Sequence, residues 1–276
     1  MYKKIIILIL IAVPAVFLIK LSHEVLSASY PVPEGSPPGN ALTVASWNMH
    51  GGNTWYGTSN IDNINREFAK SLGKQDIVFL QEAVQGGLLD DLAKKYGYYK
   101  SGNRNTILSK YPILRSGVVA IDSRGARDAS WSEVEYNNTI IRIYSIHLSY
   151  KVDNWFYIPE VRGAELKTLI DHAGSFGGPI IIAGDFNTVN LVGSKLDDRP
   201  VFQEAYRAGF KNAFKEQDCN TQMILGRVDW VFYKGMSAWF SGCGNFSGSD
   251  HRWMQETFID VSNEYQQSSP ANSQQL

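Results

Sequence analysis

The 276-residue chain predicts an α/β domain, and three observations carry that prediction. Short, strongly apolar runs rich in β-branched residues recur between residues 41 and 260, with segments of helical period between them. Hydrophobic residues make up 44% and aromatic residues 12%, which supports a substantial packed core rather than a disordered chain. No internal repeat is present, which argues against a solenoid or propeller.

The N-terminus reads as an export segment. Lys3 and Lys4 precede an apolar run over 5–19, near the upper length of a signal-peptide core and short for a membrane span of roughly 20 residues. Ser27, Ala28 and Ser29 supply a small-residue cleavage motif. Residues 1–29 are therefore expected to be a signal peptide or a retained signal anchor. The domain is then secreted or periplasmic if cleaved, and otherwise membrane-anchored. Residues 30–40, YPVPEGSPPGN, form a Pro/Gly-rich linker that can neither extend a helix nor enter a central strand. The folded domain spans 41–260, and 261–276 lacks apolar periodicity, as a disordered tail does.

Within the domain, strands are expected at 42–47, 76–80, 118–121, 132–136, 139–146, 180–183 and 228–233, and at the less apolar 255–259. Asn137-Asn138 between two of them suits a hairpin turn. A helix over 61–72 places Ile61, Ile64, Phe68 and Leu72 on one face, with Asn60 as N-cap and Gly73 as terminator. A second, over 159–173, starts at Pro and aligns Leu166, Leu169, Ile170 and Ala173. Shorter helices fit 88–96 and 200–208. Cys219 and Cys243, an even pair in a chain expected to be exported, suit a disulfide, and no Cys/His pair has metal-ligand spacing.

Polar residues recur where the apolar runs end: Asn48 in SWNMHGG, Glu82 in FLQEA, His147 in YSIHLS, Asp185 and Asn187 in IIAGDFN, Asp229 in GRVDWVF, and Asp250 and His251 in GSDHR. Taken singly, each has a plainer account: an Asx turn at Asp185, a surface loop at His251, a helix cap or ion pair at Glu82. Carboxylates, carboxamides and imidazoles at many strand ends suggest instead one assembled site. Asp185 can orient or deprotonate water, and neutral Asn187 can donate to a phosphoryl oxygen without adding repulsion. His251 titrates near neutrality, with Asp229 as the candidate orienter. Glu82, with Asn48 in support, suits a hard cation such as Mg2+, which needs only one or two protein carboxylates.

In that order the motifs resemble the endonuclease/exonuclease/phosphatase superfamily, which includes deoxyribonuclease I, abasic-site endonucleases, sphingomyelinases and inositol-polyphosphate phosphatases. The resemblance implies a four-layer α/β sandwich, with two mixed β-sheets face to face and helices outside, and makes 41–260 the catalytic domain. It implies a metal-dependent phosphoesterase acting by in-line attack of water on phosphorus. Asn48, Glu82 and Asp250 would serve the metal, expected to be Mg2+, with Mn2+ or Ca2+ as alternatives that share its oxygen ligands. Asp185 would orient or activate water, Asn187 would hold phosphate, and Asp229 would pair with His251, the general base or phosphate-stabilising imidazole. His147 looks like the second histidine of the deoxyribonuclease and sphingomyelinase branches. Arg127 would contact phosphate, with Arg124 close enough to take its place.

The substrate is less determined than the reaction. A deoxyribonuclease I-like endonuclease leads, on His147, the compact length and an export segment. Against it, 26 basic and 27 acidic residues leave a net charge of −1, so affinity for DNA must come from a local patch such as Gly102 to Arg104 or Arg124 to Arg127. A phospholipid or sphingomyelin phosphodiesterase is the alternative, because Trp155, Phe156 and Tyr157 follow His147 and could enter a membrane interface, stack on bases or simply pack beneath the next helix. A phosphomonoesterase would need a further basic cluster. A non-catalytic binding protein of this fold would need no intact polar set. The sequons at Asn137 and Asn245 are given no role.

Overall fold

Strand β1 (Leu42–Asn48) leads through helix α1 (Ile61–Lys70) to β2 (Ile77–Gln81), and α2 (Leu88–Tyr96) leads to β3 (Tyr99–Gly102) and β4 (Thr106–Ser109). An antiparallel run follows: β5 (Ile113–Ala120), β6 (Asp128–Tyr136) and β7 (Thr139–His147). Then come α3 (Pro159–Ala173), β8 (Ile180–Asn190), α4 (Pro200–Arg207), β9 (Lys211–Asn212), β10 (Arg227–Lys234), β11 (Ser237–Cys243) and β12 (Met254–Ile259). These elements come from a computed structural model, which describes residues 37–84, 86–121, 127–150, 159–190, 200–214, 219–223 and 226–261. The export segment, most of the linker, the tail, Arg124 and the aromatic run at 155–157 lie outside those residues. No helix among the described residues is long and apolar enough to cross a membrane.

The strands form two six-stranded sheets, in the orders β11-β12-β1-β2-β4-β3 and β5-β6-β7-β8-β10-β9. Each is mixed: β1 pairs parallel with β2 and β7 with β8, and the other pairings are antiparallel. Helices α1 and α2 cover the outer face of the first sheet, where Ile64, Phe68, Leu89 and Leu92 pack on Trp47, Val78, Leu80 and Leu108. Helices α3 and α4 cover the second, with Leu166, Leu169, Ile170, Ala173 and Phe202 packed on Tyr144, Ile182, Trp230 and Phe232. The fold is a four-layer α/β sandwich. Each fully buried Leu, Ile or Phe in these layers contributes about 1.5–3 kcal/mol relative to exposure.

Strand alternation then decides what faces the gap between the sheets. Trp47, Leu80, Ile146, Ile182, Phe186 and Trp230 point to the helices, so Asn48, Gln81, His147, Asp185 and Asp229 carry the opposite parity and point inward. Just below the rim a buried polar layer joins the sheets. Ser46 Oγ donates to Gln81 Oε1 (3.4 Å), Gln81 Nε2 to Ser145 Oγ (3.1 Å), and Ser145 Oγ to Leu80 O (3.3 Å). Paired in this way, these groups avoid the cost of unsatisfied burial.

Several expectations change at the level of elements. Asn60 precedes α1, but its side chain makes no capping bond and instead donates to Ser247 O (3.0 Å). Ile61 is 42% exposed rather than on the core face. The helix stops at Lys70, and Gly73 lies in a separate 3-10 turn over Leu72–Lys74. Strands β3, β4, β9 and β11 were not anticipated, and β5, β6 and β8 are longer than the apolar runs that announced them. Asn137 and Asn138 both adopt positive φ (48° and 60°), as a two-residue hairpin turn of that hand requires. Cys219 and Cys243 are disulfide-bonded, with Cα atoms 6.5 Å apart.

Candidate active site

At one edge of the gap, the ends of β1, β2 and β7, the middle of β8, which continues past Asp185 to Asn190 rather than ending there as expected, the start of β10 and the approach to β12 converge on a pocket of about 480 Å3. Glu82, Arg127, His147, Asp185, Asn187, Asp250 and His251 line it, together with His50, Arg104, Tyr150 and Gln222. Asn48 and Asp229 sit just behind and bond to members of that set.

Asp185 is the centre. Gly184, before it, runs at φ +149°, and a Cβ there would lie 2.0 Å from Ile146 O, so only glycine lets β8 pass this close to β7 as it delivers the carboxylate. Asp185 Oδ1 accepts from the Asn187 amide (2.7 Å) and Oδ2 from Asn48 Nδ2 (3.0 Å). The Nε2 atoms of His147 and His251 stand 3.5 and 3.8 Å from the same Oδ2. Burial, then the charge of Asp229, raises the Asp185 pKa.

The two imidazoles are driven apart. Burial pushes His147 down to about 4, against the attraction of Asp185, so it is neutral at physiological pH. Burial would also lower His251, but Asp229, through its charge and a 2.8 Å hydrogen bond to Nδ1, outweighs it with help from Asp185 and Asp250. His251 is thereby pushed up to about 10 and held as an imidazolium. Asp229 is fixed in turn by Thr221, whose Oγ1 accepts from the Val228 and Asp229 amides (both 3.0 Å).

On the other side, Glu82 and Asp250 face the pocket near Asn48. Asn48 Oδ1 accepts from the His50 amide (3.0 Å), which leaves Nδ2 to bridge Glu82 Oε1 (3.2 Å) and Asp185. Ser249 Oγ donates to Asn48 O (2.8 Å) and accepts from the His251 amide (3.1 Å), tying the approach to β12 onto the end of β1. Non-glycine residues with positive φ include His50 (49°), Glu82 (44°) and Asn187 (47°), all lining the pocket. Such backbone costs on the order of 1–3 kcal/mol per residue and persists where the surroundings enforce it.

A family model for the endonuclease/exonuclease/phosphatase family matches residues 45–251, from inside β1 to His251. The chain belongs to this family. Solved structures of the endonuclease/exonuclease/phosphatase fold superpose on it at low identity. A Bacteroides vulgatus member is 14% identical with a TM-score of 0.62, covering 79% of this chain and 98% of that one. D. rerio TDP2 complexed with a single-strand DNA product is 17% identical, with a TM-score of 0.60 over 79% and 99% of the two chains. A Bacteroides thetaiotaomicron mannosyl-6-phosphatase is 15% identical, with a TM-score of 0.61 over 79% and 99%. No curated protein is significantly similar in sequence.

Members of the endonuclease/exonuclease/phosphatase family are typically metal-dependent phosphoesterases, and two groups here offer donors. Asp185, Asp229 and His251 have ligand atoms within 4.8 Å of one another and could hold a cation. There His251 is bound through Nδ1 to Asp229, which leaves Nε2 as its one ligand atom. Glu82 and Asp250 are the second group: Asp250 Oδ1 is buried at the pocket with no hydrogen-bond partner, an unspent acceptor where a cation would be held, as is Asp229 Oδ1 in the first group.

All nine expected site residues thus come together, and Arg124 lies outside the described residues. Sequence reasoning missed His50, Tyr150, Gln222, Thr221 and Ser249, and named Arg104 only as part of a local basic patch for DNA. His50 was within reach, two residues beyond Asn48 in SWNMHGG. Thr221 was not, because its role depends on strand pairing across a connection.

Proposed function

We propose that the protein is a divalent-metal-dependent phosphodiesterase, and most specifically a deoxyribonuclease I-like endonuclease. The observation that carries this reading is the pair of oppositely tuned imidazoles flanking a buried carboxylate of raised pKa. Asp185 accepts a proton from the attacking water. Cationic His251, oriented by Asp229, and the Asn187 side-chain carboxamide, whose Nδ2 also donates to Leu148 O (2.9 Å), stabilise charge on the phosphoryl oxygens, with Arg127 and Arg104 lining the pocket to grip the chain. His147, neutral, contacts the phosphate beside Asp185. A divalent cation held by Glu82 and Asp250, beside Asn48, would supply further neutralisation of phosphoryl charge. The carboxylates by themselves suit Mg2+, with Mn2+ and Ca2+ as alternatives.

DNA is favoured as substrate because two arginines converge on the pocket. D. rerio TDP2, whose structure holds a single-strand DNA product, supplies the analogy of fold. A phospholipid phosphodiesterase is the second reading, favoured by Tyr150 at the pocket and by Trp55 and Tyr56, all more than half exposed. Purified protein with Mg2+ should nick plasmid DNA, and His251→Ala or Asp185→Ala should abolish the nicking. Intact plasmid alongside hydrolysed sphingomyelin or phosphatidylcholine would replace the nuclease reading with the lipid one. We further infer export through residues 1–29. N-terminal sequencing of the mature protein distinguishes cleavage from anchoring, since an intact Met1 excludes cleavage.

A further inference from the structure

We propose that His50 is a metal ligand, which makes this a mixed nitrogen/oxygen site selective for a borderline transition ion such as Mn2+ or Co2+ over Mg2+. The inference rests on the phosphoesterase reading for the presence of a metal, but on the residues of this chain for its kind. His50 Nδ1 is buried at the pocket and has no hydrogen-bond partner, and the same is true of Asp250 Oδ1. The two unspent atoms face each other at 3.9 Å. That is too long for a hydrogen bond. It falls within the separation of two ligands on one ion, since donors about 2.1 Å from an octahedral centre stand roughly 3.0–4.2 Å apart.

The backbone is arranged to hold the imidazole there. His50 lies at φ 49° and is followed by Gly51 and Gly52 at φ 64° and 78°, a left-handed turn that reverses the chain at the end of β1. The Gly51 amide donates to Glu82 O (2.9 Å), so the turn carrying His50 is bonded to the residue carrying the nearby carboxylate. The His50 amide occupies Asn48 Oδ1, which commits that carboxamide oxygen and leaves His50 and Asp250 as the donors that face each other, with Glu82 lining the same pocket. Two carboxylates and an imidazole differ in kind from an all-oxygen set. Mg2+ prefers oxygen and retains its water, whereas imidazole nitrogen raises affinity for Mn2+ and more so for Co2+.

The test is binding of metal to the full chain at one fixed pH, with no substrate. Mn2+ bound to the wild-type protein should show nitrogen-14 coupling by pulsed electron paramagnetic resonance. His50→Asn, which tolerates the left-handed backbone, should lose that coupling and weaken Mn2+ and Co2+ at least about tenfold, while changing Mg2+ less than threefold. His50→Asp, which restores a donor as oxygen, should bind Mg2+ more tightly than wild type. Thermal unfolding verifies that both variants fold. Bound Mn2+ without nitrogen coupling, coupling that survives in His50→Asn, or no Mn2+ binding at all would overturn the proposal. Hydrolysis by a protein that lacks the coupling would leave the enzymatic reading standing without this one. Nitrogen-coupled Mn2+ on a protein that hydrolyses nothing would do the reverse.

Discussion

Replacing Asp229 with asparagine should convert His251 from a permanent cation into a neutral imidazole at pH 7. The variant keeps the side-chain shape and its backbone bonds to Thr221, so the change is one of charge. His251 stands at about 10 rather than 6.5, and at about 1.36 kcal/mol per pH unit the difference amounts to about 5 kcal/mol. A cost of about 3–5 kcal/mol for breaking a buried ion pair gives the same scale. The sign follows from linkage. A histidine whose folded pKa is raised contributes stability that is full below its unfolded value of about 6.5 and disappears as pH rises through about 10. Without Asp229, burial dominates, so His251 should lose its proton below about 6.5 and the variant should lose most of this contribution at pH 7. The assay is the His251 Cε1–H chemical shift against pH, alongside the pH dependence of plasmid nicking. Activity should fall at pH 7 and recover partly under acid conditions. An unchanged His251 titration in Asp229→Asn would refute the argument, because it would mean that the 2.8 Å contact does not hold the proton.

Three other outcomes follow from the structure. Glu256 is wholly buried between the sheets and burial raises its pKa well above 4.5, so the native state holds a proton that the unfolded chain releases and stability falls as pH rises above about 4.5; Glu256→Gln should flatten that decline, read by urea denaturation at pH 5 and pH 8, and equal slopes for the two proteins would contradict it. Opening the Cys219–Cys243 bond, which closes a loop of 24-residue separation, should cost about 3.5 kcal/mol in denaturant midpoints under reducing conditions, and no change would show that the unfolded chain gains nothing from the cross-link. Gly184→Ala should abolish activity and lower the melting temperature, since its Cβ would drive β8 away from Ile146 O; a variant with wild-type melting and nicking would show that the strands have room to separate.

The sequence revealed those elements whose chemistry is strongly patterned. Buried β7, β8 and β10 announce themselves as apolar runs, and α2 and α3 carry the expected boundaries. Strand β3, YKSG, is mostly exposed, and β11 is a half-exposed edge strand with a register shift, so neither needs an apolar run. Their pairing with β4 and β12 makes them strands, and such pairing is not a local property. The site behaved similarly. Residues with intrinsic chemistry at strand ends were visible, because parity and position put them at the rim. Residues that act by tying one segment to another, such as Ser249 and Thr221, look like any other hydroxyl until the segments meet.

The buried layer of Ser46, Gln81 and Ser145 has a mechanical consequence. Two apolar faces attract without direction and can slide over one another at little cost, whereas hydrogen bonds across the gap accept one alignment. Each member of the layer lies one or two residues beneath a residue of the site: Ser46 below Asn48, Gln81 below Glu82, Ser145 below His147. The two sheets therefore meet like a vernier with a detent, and the loops above can be rebuilt for a new substrate without losing the zero of the scale.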